Sequence, residues 1–314
     1  MLRGCPLYPP HSSEAAVTHG HAQPARPLAP IPLLPALRRE AWTSEEGLRS
    51  EATELRELVA SVHKQGRARA QVSFALGRLV ERYSLSNEED AFALLRTVSQ
   101  RSNIKVHELA AALAQTTPPH DKDEDWFPGR VRRPSPPLRA LGRKQVDARS
   151  QSSVLSAVLN RVLDVTGGEA GNVQVRQGRT LRMVQHEGHP QIFTDYFAFV
   201  DDGTPCSRAA KSARQVTVPD IARSTGFDEA SKQILLDAGS RACHSVPLIA
   251  RRGGMVLGVV SSHHREPLTG LRQEQLLQLQ QLQRVAGTWL DWYQRTVVLD
   301  ALEALHQAAR EAGA

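Results

Sequence analysis

Between Ser61 and Gln115 the chain carries eight Lys or Arg residues (Lys64, Arg67, Arg69, Arg78, Arg82, Arg96, Arg101, Lys105) against five acids (Glu81, Glu88, Glu89, Asp90, Glu108), a net of +3. Glu88, Glu89 and Asp90 stand together at what reads as a helix start, where negative charge suits the positive end of the helix and leaves much of the remaining face basic. Cations of this kind clamp phosphates, and aromatic or arginine planes stack on unpaired bases. Tyr83 and Phe92 lie in the run, but both fall at apolar helical spacings, so at least one belongs to a core, Phe92 before Tyr83. A charge run taken alone is as readily a solvated helix face.

Other reactive residue types point to less. Cys206, in GTPCSRA (203–209), could be a redox sensor or an attachment point, but an unpaired cysteine is more often a small buried apolar side chain; Cys243 lies in a strand and reads as inert. With Cys5 these are the three cysteines, and no CxxC spacing indicates a disulfide framework or a zinc site. His186, His189, His244, His263 and His264 suggest a metal, yet adjacent residues on a strand point to opposite faces, so His263 and His264 cannot both turn inward to one ion without a kink. No P-loop, GxGxxG, HExxH or GxSxG occurs, which makes an enzyme the weakest reading, with no catalytic residue and no metal ligand assigned.

The elements that must position these residues follow from periodicity. Residues 1–42 are rich in proline and scattered histidines (His11, His19, His21) without apolar period, and read as a disordered arm. Thr43 and Glu46 form a capping box opening an amphipathic helix with Leu48, Ala52, Leu55, Val59 and Val62 on one stripe. After a soft break at Gly66 a helix resumes through Val72, Leu76, Leu79 and Tyr83; a second opens with the Ser86/Glu89 capping box, and a third is capped by Asn103. Residues 43–115 thus read as one helical domain, and 116–150, with six prolines among mixed charges, as a linker that proteases should cut first.

Beyond it a helix from Ser152 to Val165 precedes five short strands (Asn172–Arg176, Leu181–Gln185, Gln215–Val218, Ala242–Pro247, Met255–Ser261), with a helix around Glu229–Ala238 and a closing one from Gln273 to about Gln294. That is an α+β domain over 151–295, and residues 296–314 continue as a helical tail with Val297, Leu299, Leu302 and Leu305 on a stripe. The whole chain carries 39 Lys+Arg against 33 Asp+Glu, a net of +6 that favours polyanionic partners, and no apolar run reaches membrane-span length; a reducing cytoplasm is the expected location.

The stretch ALGRLVERYSL (75–85), continuing through DAFALLRTVSQRSNIKVHELAAAL (90–113), resembles an ANTAR domain, with Arg69, Ala75, Gly77, Leu79, Arg82, Tyr83, Ala91, Phe92, Leu95, Arg96, Ser99, Gln100, Asn103, Lys105, Ala110 and Leu113 in register. Leu76 and Arg78 stand where the family has a lysine and an apolar residue. DYF (195–197), GTPCSRA, VTVPDIA (216–222), AGSRACHSVPL (238–248) and LGVVSSHHREP (257–267) make the second half similar to a GAF domain. The resemblance implies two domains: a small all-α three-helix ANTAR domain and an α+β GAF domain with an antiparallel sheet flanked by helices. It implies a transcription antiterminator that grips paired hairpin loops of nascent RNA through Arg82, Arg96, Arg101, Asn103 and Lys105, controlled by an unidentified small-molecule ligand at the GAF domain. The two flanking apolar stripes suggest a homodimer. The alternative, favoured by Leu76 and Arg78, is a ligand-sensing protein that acts through protein partners with RNA binding lost.

Overall fold

The computed structural model describes residues 45–142, 146–251 and 253–313, so the arm and Thr43 lie outside the described residues. The chain divides into residues 1–49, of which only the opening of the first helix is described, and a unit spanning 50–314.

Helix α1 (Glu45–Tyr83) runs 39 residues without the break expected at Gly66. One glycine costs a helix only about 1 kcal/mol, and its neighbours Gln65, Arg67, Ala68 and Ala70 are good or adequate helix formers. Helix α2 (Glu88–Ser102) is capped by Asn87, not Ser86: the Asn87 side chain accepts from the Asp90 N–H at 2.9 Å. Asn103 does not open the third helix but closes α2 in the left-handed conformation (φ 53°), its N–H returning to Gln100 and Ser99. Asn tolerates that conformation better than most non-glycine residues, so the side chain read as an N-cap serves the opposite end. Helix α3 (Val106–Gln115) starts after Lys105.

In the second half, α4 (Gln151–Thr166) is capped by Ser150 and ends on Gly167 at φ 71°. There follow β1 (Ala170–Gln177), β2 (Thr180–Glu187), α5 (Gln191–Tyr196), β3 (Phe199–Val200), α6 (Pro205–Ser212), β4 (Val216–Val218), α7 (Glu229–Asp237), β5 (Ala242–Ile249), β6 (Val256–His264) and α8 (Gln273–Tyr293). The strands make one antiparallel six-stranded sheet in the order β3-β2-β1-β6-β5-β4, one strand more than the sequence indicated; the addition, β3, is two residues long and shows no period. Both faces of β5 and β6 are covered, which explains their nearly continuous burial. Val246 and Leu248 turn to one face, where α4 and α8 pack, and Cys243 to the other with α5, α6 and α7.

Helix α8 continues through a π-type turn (Gln294–Val298) into α9 (Leu299–Ala312). The stripe on α9 does not await a second chain: Ala301, Leu302, Leu305 and Ala309 are fully buried and α9 packs on α2 and α3. Tyr83 reaches the same place, its hydroxyl paired with His306 Nδ1 at 2.6 Å. The segment read as a linker is also packed rather than standing off. Trp126 is buried against His306 and Phe127, Arg130 pairs with Asp300 and Glu303 at 2.6 Å each, and the Trp292 and Trp289 indoles donate to the Arg133 and Ala148 carbonyls. One apolar cluster therefore runs from α1, α2 and α3 through α9 into α8, α4 and the sheet.

Candidate nucleic-acid interface and sensory cavity

Helix α2 buries Ala91, Leu95, Val98 and Ser99. Its outer face carries Phe92, Arg96 and Gln100 at successive i, i+4 steps, and Asn103 at the capped end falls near the same line; all four are exposed. Lys105 follows, also exposed. This corrects the placement of both aromatic residues. Phe92 is 40% exposed and Tyr83 2%, because Phe92 sits about 100° round the helix from Ala91, off the buried arc.

The five cationic and amide residues named from sequence are not equivalent. Arg96, Asn103 and Lys105 belong to the exposed stripe and its end. Arg101 is exposed but lies five residues, about 140°, round from Arg96. Arg82 is turned inward and donates to the Pro119 carbonyl at 2.6 Å. Gln100, in register with the ANTAR pattern, was not among the RNA contacts named from sequence; its i+4 spacing from Arg96 was the available signal. A groove beside the stripe has Gln100, Asn103 and Lys105 on one wall and Ser150, Ser152 and Gln185 on the other. Leu76 and Arg78 both have structural work: Leu76 is buried, and Arg78 donates to the Leu113 and Ala114 carbonyls at 2.8 and 3.2 Å, closing the end of α3.

The second site is a cavity between the sheet and helices α5 to α7. Phe193 and Phe197 form one wall, with Cys206 and His263 among the other lining residues. Cys206 is held by Ser261 and Ser245, at 3.2 and 3.8 Å, and burial pushes its thiol up against those hydrogen bonds, which is the wrong direction for a reactive thiolate. Burial likewise raises Cys243. His263 is paired with Ser240 and Asn172, His244 with Thr217 and Gln215, and His264 with Ser262. Among the described residues no group of three or more His, Cys, Asp or Glu is placed to hold a metal.

The wall of this cavity is tied to the helix that leads into the basic half. Asp195 lies between Phe193 and Phe197 on α5 and is nearly buried; its Oδ1 accepts from Lys64 of α1 at 2.6 Å and from Gln191 at 2.7 Å. Just beyond, Arg67 pairs with Asp201 at 3.0 Å and lies over the Phe199 ring.

Buried histidines also set a pH dependence. Burial holds His107 at about 3, and His189 and His244 at about 4, while His263 is lowered well below its ordinary value. Arg182 and Lys105 add to the effect at His107. The unfolded chain therefore takes up protons below pH 6.5 that the folded chain refuses. Stability should be full above pH 6.5 and fall towards pH 4, by about 1.4 kcal/mol per pH unit for each such histidine. Glu108, raised by burial, titrates in the opposite sense and offsets part of this. Urea midpoints at pH 7.5, 5.5 and 4.5 should decline steadily, and His107→Gln should flatten the decline; a midpoint independent of pH would contradict the burial of these rings.

The ANTAR domain family model matches residues 60–113 and the GAF domain family model residues 151–288. Among solved structures, the chain is similar to a GAF domain/HD domain protein from Geobacter sulfurreducens (14% identity, 48% of this chain and 95% of that one, TM-score 0.39). It is also similar to the GAF domain of an Acinetobacter phosphoenolpyruvate-protein phosphotransferase (13%, 44% and 80%, TM-score 0.36). A third is the type II free methionine-R-sulfoxide reductase of Thermoplasma acidophilum (13%, 44% and 91%, TM-score 0.36). No curated protein matches. Among the described residues no helix is long and apolar enough to cross a membrane.

Proposed function

Taking as premise that the chain carries an ANTAR domain followed by a GAF domain, and is thus a sensor-coupled regulator, we propose that it acts in transcription antitermination by binding hairpin loops of nascent RNA. The observation that carries this reading is the exposed Phe92–Arg96–Gln100–Asn103 stripe with Lys105 at its end. It pairs an aromatic plane for stacking with cations for phosphate and amides for base edges, the combination that single-stranded loops require. Arg101 and Arg82 have secondary parts, on the far flank and behind the stripe. The reading through protein partners, with RNA binding lost, is the alternative; the burial of Leu76 and the bonds of Arg78 to the Leu113 and Ala114 carbonyls account for those two residues under either reading.

Control comes from the GAF cavity. A ligand that shifts Phe193 and Phe197 shifts α5, and with it the Asp195–Lys64 pair that holds α1. Such a ligand acts only through different affinity for the two arrangements. The homodimer rests on the leading part of α1, where Val59 and Val62 are 53% and 43% exposed.

The test uses the full chain, because the ANTAR helices share their core with α9. Titrated against a paired-hairpin RNA at two salt concentrations, it should bind, and more weakly at the higher salt as phosphate contacts are screened. Light scattering of the same samples should give two chains per RNA. Absence of binding to any paired hairpin would overturn the function; one chain per RNA would remove the dimer alone.

A further inference from the structure

The cavity's chemistry restricts what it can hold, given the reading above that the GAF half is the sensory one. Its polar lining is entirely uncharged: the amides of Asn172 and Gln174, the Thr204 and Ser245 hydroxyls, two thiols and one imidazole, with no carboxylate, ammonium or guanidinium. Arg208, whose guanidinium lies 6.0 Å from the Phe227 ring centroid, is exposed and does not line the cavity. The imidazole, His263, is held neutral by burial and engaged at both nitrogens, so it supplies no charge either. An ion entering here would lose its hydration without a countercharge, which disfavours it against a neutral molecule of the same shape.

One polar atom is left over. Gln174, 1% exposed, donates through Nε2 to the Phe197 carbonyl at 3.2 Å, which fixes the amide orientation and leaves Oε1 buried without a partner. An unpaired buried acceptor is costly, so a ligand that brings a donor gains more there than at a satisfied surface. The neighbouring walls, Phe193, Phe197 and Phe227, are aromatic and favour a flat apolar body. The free space is only about 20 Å³, room for about one water, so any larger guest must displace side chains of the wall, which Phe193 and Phe197 help to form.

We propose that the cavity binds a small, uncharged aromatic molecule whose N–H or O–H donates to Gln174 Oε1. Binding opens the wall formed by α5 and so bears on the Asp195–Lys64 pair.

Benzamide, benzoate and benzamidinium share one shape and differ in charge, and N,N-dimethylbenzamide keeps the neutral charge without the donor. Calorimetric titration of the full chain, without RNA, should show benzamide binding in the millimolar range or tighter. Benzoate, benzamidinium and the dimethyl compound should bind at least tenfold more weakly. Gln174→Leu should reduce benzamide affinity about tenfold while leaving the dimethyl compound unchanged; if that variant does not fold, the comparison of compounds on the unaltered chain decides. Charged compounds binding as well as benzamide, indifference to the missing donor, or no binding by any of the four would overturn the proposal and leave the cavity as a packing gap. Because RNA is absent, this result stands or falls separately from the RNA titration.

Discussion

Phe92→Ala and Arg96→Ala will each weaken hairpin RNA binding by about tenfold or more, and salt will tell them apart. Loss of a base stacked on an aromatic ring costs roughly 1–3 kcal/mol and involves no charge, so Phe92→Ala should lower affinity equally at both salt concentrations. Loss of a phosphate contact removes one released counterion, so Arg96→Ala should also flatten the dependence of log K on log salt by about 0.7 to 0.9. Both side chains are exposed, Phe92 at 40%, so the variants should stay close to the parent's thermal midpoint. Arg82→Ala, by contrast, removes the bond to Pro119 and should show up in stability as well as binding. If Phe92→Ala binds like the parent, the outer face of α2 is not the RNA surface, and the function proposed here loses the observation that carries it.

The second large effect is on folding. Gly287, in the middle of α8, lies directly on the end of β5: a Cβ built there would stand 2.1 Å from the Ile249 oxygen and 2.5 Å from its nitrogen. Backbone on both sides leaves no flexible side chain to yield. Gly287→Ala should therefore cost about 3 kcal/mol or more, above the usual range for overpacking because the strain falls on main chain. For a unit of this size that is a fall of roughly 6–12 °C in the thermal midpoint. Gly66→Ala is the matched control, since nothing lies within 4 Å of a Cβ there, and it should stabilise α1 by up to about 1 kcal/mol. Because α8 runs on into α9, and α9 packs on α2 and α3, the Gly287→Ala defect should also weaken RNA binding at temperatures where the parent is intact. A Gly287→Ala midpoint within about 2 °C of the parent would mean that α8 does not approach the sheet this closely.

Much of this was legible in the residues themselves. Helical period located α2, α3, α4 and α8, alternation located the longer strands, and Arg96, Asn103 and Lys105, named within an ANTAR-like stretch, are all exposed. These signals are local, fixed by backbone periodicity.

What the sequence left undecided were the choices that depend on which surfaces meet. Phe92 and Tyr83 have similar apolar spacing, and only the direction from which α9 approaches makes Tyr83 a core residue and leaves Phe92 outside. The α9 stripe looked like an offer to a second chain because periodicity shows that a face is apolar but not what covers it. Proline-rich residues 116–150 looked like a spacer because proline excludes helix and sheet, yet it does not prevent Trp126 and Arg130 from docking on α9. Asn103 shows the same limit at one position: its residue type suits either helix end, and the conformation of the turn into α3 assigned it to the first. The pairing of Lys64 with Asp195, 131 positions apart, has no local signature at all. Burial and long-range pairing are properties of the assembled surfaces, so the tertiary structure alone decided which residues of α2 stay exposed, which line the cavity, and how the two halves are joined.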